Sequence, residues 1–260
     1  MSNNYWGERV AKSLAALTSK SVKQTEKQMK LYYISTMKKT LGEFEKVYEK
    51  IFQRLTEGKE VSPADLYRLD AYWQLQYQMR EELQKLGEKQ MVLLSKNFVK
   101  QYQGIYEAIA LPGGKAFTTL DTSLVEQMIN TIWCADGKSW SQRIWLNTER
   151  LAETLNEHLI HCVATGAKPG ELTKLLQEDF GVSYNAADSL VRTEMSHIQN
   201  QAAQKRYTDY GIKEVQVWAD EDERRCEVCG ELHEKRFPIG SVMPIPAHPR
   251  CRCSIIPVVE

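Results

Sequence analysis

From Tyr33 onward the apolar positions fall at Met37, Leu41, Phe44, Tyr48, Ile51 and Leu55. Spacings of three and four residues place them on one face of an α-helix. Residues 5 to 56 contain no proline and only Gly7 and Gly42, so one long helix is predicted, closed at Gly58. The next helix opens at Ser62-Pro63-Ala64-Asp65, with an N-cap serine, a proline at the first helical position and a carboxylate near the positive end of the dipole. Leu66, Leu69, Trp73, Met79, Leu83 and Leu86 carry its apolar face toward Ile109, and Pro112-Gly113-Gly114 breaks the chain. Two long helices joined by a short loop predict an antiparallel hairpin over 1–111.

A second helical block follows over 112–212. Asp121 caps a short helix through Ile132, Asp136-Gly137 makes a turn, and Ser139-Trp140-Ser141-Gln142 has the capping-box pattern of a helix running to Thr165. Gly166 stands where a C-terminal cap belongs. A further helix starts at Lys168-Pro169-Gly170 and is expected to stop at Gly181. Ser183 is expected to cap the last helix, which carries Val191-Arg192-Thr193-Glu194 and ends before Gly211.

At residue 213 the pattern changes. Val215, Val217 and Ala219 alternate with polar residues as in a half-buried strand. Prolines at 238, 244, 246, 249 and 257 exclude helix in the remainder. The predicted class is therefore α+β, mainly α, with a small β module at 213–260.

The formal net charge is zero, so no global field recruits nucleic acid or membrane. The distribution is uneven: residues 1–50 hold ten Lys or Arg against five Asp or Glu, and residues 151–200 hold three against seven. A basic N-terminal arm suits an acidic protein surface or phosphates, and a solvated helix face is the plainer reading. No apolar run approaches the roughly 18 residues of a membrane span. Met1-Ser2-Asn3-Asn4-Tyr5-Trp6 lacks a signal-peptide layout, so folding in a cytoplasm is expected.

Four of the six cysteines crowd into residues 226–253, which in a cytoplasmic chain argues for metal rather than disulfides. Cys134 and Cys162 stand alone and read as small buried hydrophobes. Cys226-Glu227-Val228-Cys229 is followed by His248-Pro249-Arg250-Cys251-Arg252-Cys253. A CxxC turn puts two thiolates on one side of a knuckle, as a tetrahedral zinc site requires. His248 and Cys251 are favoured as the other pair because their gap mirrors the first knuckle; Cys253 is the substitute. A filled shell leaves no open position for water, so the zinc reads as structural. His233 is expected to be an exposed loop residue. Asp222, in the acidic run 220–223, is expected to accept knuckle N–H bonds. Arg224, Arg225, Arg250 and Arg252 offset the thiolates and the acidic run, or else meet DNA phosphates.

Arg192 and Glu194, two apart on a helix, do not share a face. One is expected to face the helical block and the other the β module, as structural ion pairs across that interface. Arg143, near Trp133, Trp140 and Trp145, belongs to a helix core or an aromatic-and-cation cluster. No GxSxG, P-loop, HExxH, GxGxxG or zinc-deaminase pattern is present, so no catalytic residue is assigned and the chain is expected not to be an enzyme.

Trp140-Ser141-Gln142-Arg143-Ile144-Trp145, Leu190-Val191-Arg192-Thr193-Glu194, Trp218, Asp222, the Cys226–Cys229 pair, Phe237-Pro238 and the run from His248 to Cys253 together resemble the Mu F-like head-morphogenesis proteins of tailed phages and prophages. The resemblance implies a minor head protein that binds the portal protein and a capsid or scaffold protein. It further implies a place in the procapsid interior, after synthesis in the host cytoplasm, and assistance in DNA packaging or ejection. The chain ends seven residues after Cys253, which leads to the expectation of a plain structural form without an effector domain. The alternative from the residues alone is a zinc-stabilised binder of nucleic acid, with double-stranded DNA as partner.

Overall fold

A computed structural model describes residues 3–57, 62–110, 120–219, 222–241 and 243–259. The expected breaks at Gly58 and Pro112-Gly113-Gly114, and Asp220-Glu221 of the acidic run, lie outside the described residues. Helix α1 runs over Asn3–Thr56, and the apolar stripe turns Leu41, Phe44, Tyr48 and Ile51 inward. The second helix differs from expectation: a single turn, α2 (Pro63–Leu66), precedes α3 (Asp70–Ala108). The Asp65 carboxylate accepts the N–H and the hydroxyl of Ser62 at 2.9 and 2.8 Å, which fixes the short turn. The Trp73 indole then donates to the Tyr67 carbonyl at 2.9 Å, satisfying a backbone acceptor freed where α2 ends. Trp73 is spent on that bond and is 56% exposed, so it leaves the predicted apolar face; Leu66, Met79, Leu83 and Leu86 are buried as predicted, and Tyr72 and Leu75 join them.

Helix α4 (Thr122–Ile129) is capped by the Asp121 carboxylate, which accepts the Ser123 N–H at 2.9 Å. Helix α5 (Trp140–Thr165) ends at Gly166 with φ +63°, a left-handed cap that favours glycine. Helix α6 then covers Pro169–Asp209 without interruption, and the expected stop at Gly181 and cap at Ser183 are both overturned. One glycine costs a helix only about 1 kcal/mol relative to alanine, and Leu176, Phe180, Ala187 and Val191 are buried on either side. Ser183 is buried mid-helix, within hydrogen-bond reach of the Tyr33 hydroxyl at 3.2 Å and of the Asn147 amide at 3.0 Å.

The chain divides into two compact units, neither a single stretch of sequence. One gathers Lys27–Val92 and Ser141–Asp188. There the Tyr48 hydroxyl lies 2.8 and 2.6 Å from the carbonyls of Cys162 and Ala167, holding the end of α5. The other gathers Met1–Glu26, Leu93–Trp140 and Ser189–Glu260. In it Asn97 donates to Thr25 at 2.8 Å and Gln101 to Thr18 at 2.6 Å. The partner numbers run in opposite directions, so these parts of α1 and α3 are antiparallel.

The second unit holds the sheet: β1 (Glu214–Trp218), β2 (Arg236–Pro238) and β3 (Ser254–Pro257), antiparallel in the order β2-β1-β3. Val215 and Val217 are buried as the alternation predicts, and the two strand prolines sit on edge strands, where a missing N–H is tolerated. A short helix, α7 (Glu227–Leu232), interrupts the expected all-β tail. Gly7 lies against β3: a Cβ there would come 2.5 Å from Ile256 Cδ1.

Edge strand β3 has its outer backbone groups satisfied by α6. The Asn200 side chain accepts the Ile255 N–H at 2.9 Å and donates to the Cys253 carbonyl at 3.0 Å, imitating a neighbouring strand. Tyr207 donates to the Ile255 carbonyl at 3.2 Å, and Gln199 donates to the Ser254 hydroxyl at 2.6 Å.

Candidate metal centre

Two short turns bring the donors together. In the first, Cys226 caps α7 with its sulfur accepting the Cys229 N–H at 3.4 Å. In the second, the Cys251 N–H returns to the His248 carbonyl at 3.2 Å, with Arg250 in the left-handed region at φ +62°. That strained residue is held by α6, since its N–H donates to the Thr193 hydroxyl at 2.9 Å.

All five sequence-predicted donors converge. Cys226, Cys229 and His248 form one triad, and Cys229, Cys251 and Cys253 form a second, with the donor atoms of each within 4.8 Å of one another. His248 Nε2 lies 3.2 Å from both the Cys226 and the Cys229 sulfurs, and the Cys229 and Cys251 sulfurs are 3.8 Å apart. Tetrahedral bonds of about 2.3 Å imply sulfur–sulfur edges of about 3.8 Å. His248 Nδ1 is 2.8 Å from the Pro249 carbonyl; donating its proton there leaves the Nε2 lone pair facing the sulfurs. The donors fit a metal ion in type, spacing and tautomer.

Burial and mutual contact split the thiols. Cys229, Cys251 and Cys253 are buried, and Cys226 and His248 are half-buried. Hydrogen bonding with Cys253 and with backbone N–H groups lowers Cys251, against the opposing effect of burial. The contact with Cys251, with burial, pushes Cys253 up. Burial raises Cys229 to about 12, while the Cys229 N–H lowers Cys226.

The flanking charges are organised as a brace. Arg252 grips Asp222 with two nitrogens at 2.7 and 2.6 Å, and the Arg224 N–H reaches the same carboxylate at 3.0 Å. The Arg252 guanidinium foremost holds the Asp222 carboxyl well below the usual carboxylate range. His233 stands outside both triads and is half-buried rather than an exposed loop residue. Its Nδ1 accepts the Ala219 N–H at 3.2 Å and its ring meets Trp218 edge-on, joining the end of α7 to β1.

Arg192 pairs with the Glu26 carboxylate of α1. Glu194, two residues on, is buried and accepts the Trp133 indole N–H at 3.0 Å. Between them Thr193, which the quoted Leu190–Glu194 run contains without a role, reaches the turn that carries His248 and Cys251, and no motif in the sequence marked Asn200. Trp140 is buried edge-on against Phe98 at 5.3 Å. Arg143 is half-buried on α5. Cys162 is buried as expected, but Cys134 lies half-buried outside the helices.

Trp133 also stacks on His197, rings 4.1 Å apart and 11° from parallel. Among the described residues His197 Nε2 is buried without a hydrogen-bond partner, and burial drops its pKa to about 4 from 6.5. The unfolded chain therefore takes up the proton first as pH falls. Stability present above pH 6.5 is lost progressively down to pH 4, by about 3 kcal/mol in all at roughly 1.4 kcal/mol per unit. Urea unfolding of wild type and His197→Leu between pH 4 and 7 checks this: the variant should show a flatter profile, and identical slopes would refute the assignment.

Residues 153–256 match the family model described as Phage Mu protein F like protein. No curated protein and no solved structure gives a significant match. The matched segment contains all five donors, Thr193 and Asn200. No described helix is long and apolar enough to cross a membrane.

Proposed function

We propose, on the premise that residues 153–256 belong to the phage Mu F-like head-morphogenesis family, that the protein is a minor head protein of a tailed phage or prophage. It docks on the portal within the procapsid, beside capsid or scaffold protein, and assists packaging or ejection of DNA without catalysing a reaction. The observation that carries this reading is the family match, and the convergence of the five donors within the matched segment supports it.

The same reading makes the metal a structural zinc. Cys226, Cys229, His248 and Cys251 supply the shell, and Cys253 is the thiol that hydrogen-bonds to Cys251. Soft thiolates with one imidazole suit zinc, and a shell filled by four protein ligands stabilises rather than reacts.

Quantitative mass spectrometry of procapsids assembled with and without the portal protein tests the assignment. A few copies per particle, lost when the portal is omitted, are expected. Absence from particles in both preparations would remove the reading.

A further inference from the structure

Inside the unit that gathers Lys27–Val92 and Ser141–Asp188, a cavity of about 350 Å³ opens between α1 and α3. That volume stands at the small end of the roughly 300–1,000 Å³ of ligand pockets. Its walls divide by chemistry. Leu75 and Met79 of α3, 1% and 2% exposed, supply an apolar side. Glu43 of α1 with Glu81 and Glu82 of α3 supply three carboxylates against one lysine, Lys39. Lys39 reaches Glu82 at 3.0 Å, Lys46 reaches Glu43 at 2.7 Å, and Lys85 lies 3.7 and 3.1 Å from Glu81 and Glu82. All three lysines are exposed, and such surface pairs contribute little. A second observation is independent of charge. Thr40 lines the same cavity, and among the described residues its buried hydroxyl has no hydrogen-bond partner. Thr148 and Thr165 of the same unit bond back to the carbonyl one turn earlier, at 3.1 and 2.9 Å; Thr40 does not. A buried hydroxyl left unpaired is costly, so its place beside a cavity calls for a partner from outside the chain.

We propose that this cavity binds an aliphatic cation, a short carbon stem ending in a guanidinium or ammonium head. The stem lies against Leu75 and Met79. The carboxylates of Glu43, Glu81 and Glu82 share the head, and the Thr40 hydroxyl oxygen accepts one of its N–H groups. An anion would face three carboxylates, and a purely apolar ligand would cover charged groups without pairing them. The head and stem are those of an arginine or lysine side chain on another protein, or of a free alkylamine. None of these residues lies in the matched segment 153–256, so the cavity is independent of the head-protein reading.

The full chain, isotope-labelled at its methionine methyl groups, is titrated with agmatine at constant ionic strength and followed by NMR. The Met79 signal is assigned from the spectrum of Met79→Leu. A saturable shift of that signal is expected, with a dissociation constant on the order of 1 mM. Butanol and sodium acetate should leave it in place. Two variants are compared after circular dichroism shows wild-type helix content. Glu81→Gln with Glu82→Gln should weaken agmatine binding about tenfold, because charge-assisted bonds are lost. Thr40→Val, which keeps the shape and removes the hydroxyl, should weaken it about threefold. No shift with agmatine, the same shift with butanol, or unchanged binding by either variant would overturn the proposal. A blocked Gly-Arg-Gly peptide separates the two sources of the cation. A matching Met79 shift assigns the cavity to a partner's side chain, and no shift with the peptide assigns it to a free amine.

Discussion

Cys229→Ser should abolish zinc binding and melt the C-terminal module while the helices keep their order. Cys229 is the member common to both triads, so neither triad is complete without it. The rest of the module cannot compensate. Its strands are only five, three and four residues long, so the sheet by itself does little to hold the two donor turns together. Metal ligation contributes on the order of 10 kcal/mol in zinc-finger peptides, far more than the loss of one thiol contact. The expected readouts are a zinc-to-protein ratio falling from near one to near zero and rapid amide exchange across β1 and β3, with α5 still protected. Cys251→Ser and Cys253→Ser refine the assignment. The first should lose the metal and the second should hold it more weakly but in full ratio. A wild-type ratio near zero, with the module still folded, would sink the zinc reading.

The cluster of donors could be read from the chain because its geometry is local. A CxxC turn and an HPRC turn each fix two donors within four residues, and only their meeting depends on the fold. The sheet was readable at Val215 and Val217 for the same reason: alternation is a nearest-neighbour property. The failures share the opposite cause. Gly181 and Ser183 carry the local signals of a helix end, yet burial of Phe180 and Ala187 beside them outweighs a penalty of about 1 kcal/mol. Trp73 fits the apolar period but is exposed, because its indole satisfies the Tyr67 carbonyl at the break between α2 and α3. No spacing rule marks Thr193 or Asn200, whose partners lie more than fifty residues away in the chain. The two units assemble stretches that are distant in sequence, and an order of elements alone carries no record of such pairing.

Asn200→Leu should cost about 4 kcal/mol of stability even though no metal ligand is touched. Asn200 is 3% exposed, and its amide serves both sides of one peptide edge, accepting from Ile255 and donating to Cys253, with a further bond to the Ser196 carbonyl at 2.9 Å. Leucine keeps the same branched arrangement of heavy atoms, so the main loss is of hydrogen bonding, with some crowding from its bulkier methyl groups added to it. It leaves the Ile255 N–H and the Cys253 carbonyl buried without these partners, at about 1–3 kcal/mol each. The edge of β3 then has no strand beyond it, since β1 occupies its other side. Chemical denaturation should show a lower midpoint for the variant, with the zinc ratio near one at low denaturant. Hydrogen exchange should place the added opening in β3 and not in α7, because the Cys226 knuckle is held by its own turn. A loss below about 1 kcal/mol would mean that water replaces the amide at the strand edge. A loss of zinc along with stability would mean that α6, through Asn200 and Thr193, sets the second pair of ligands and that metal binding is coupled to the helix.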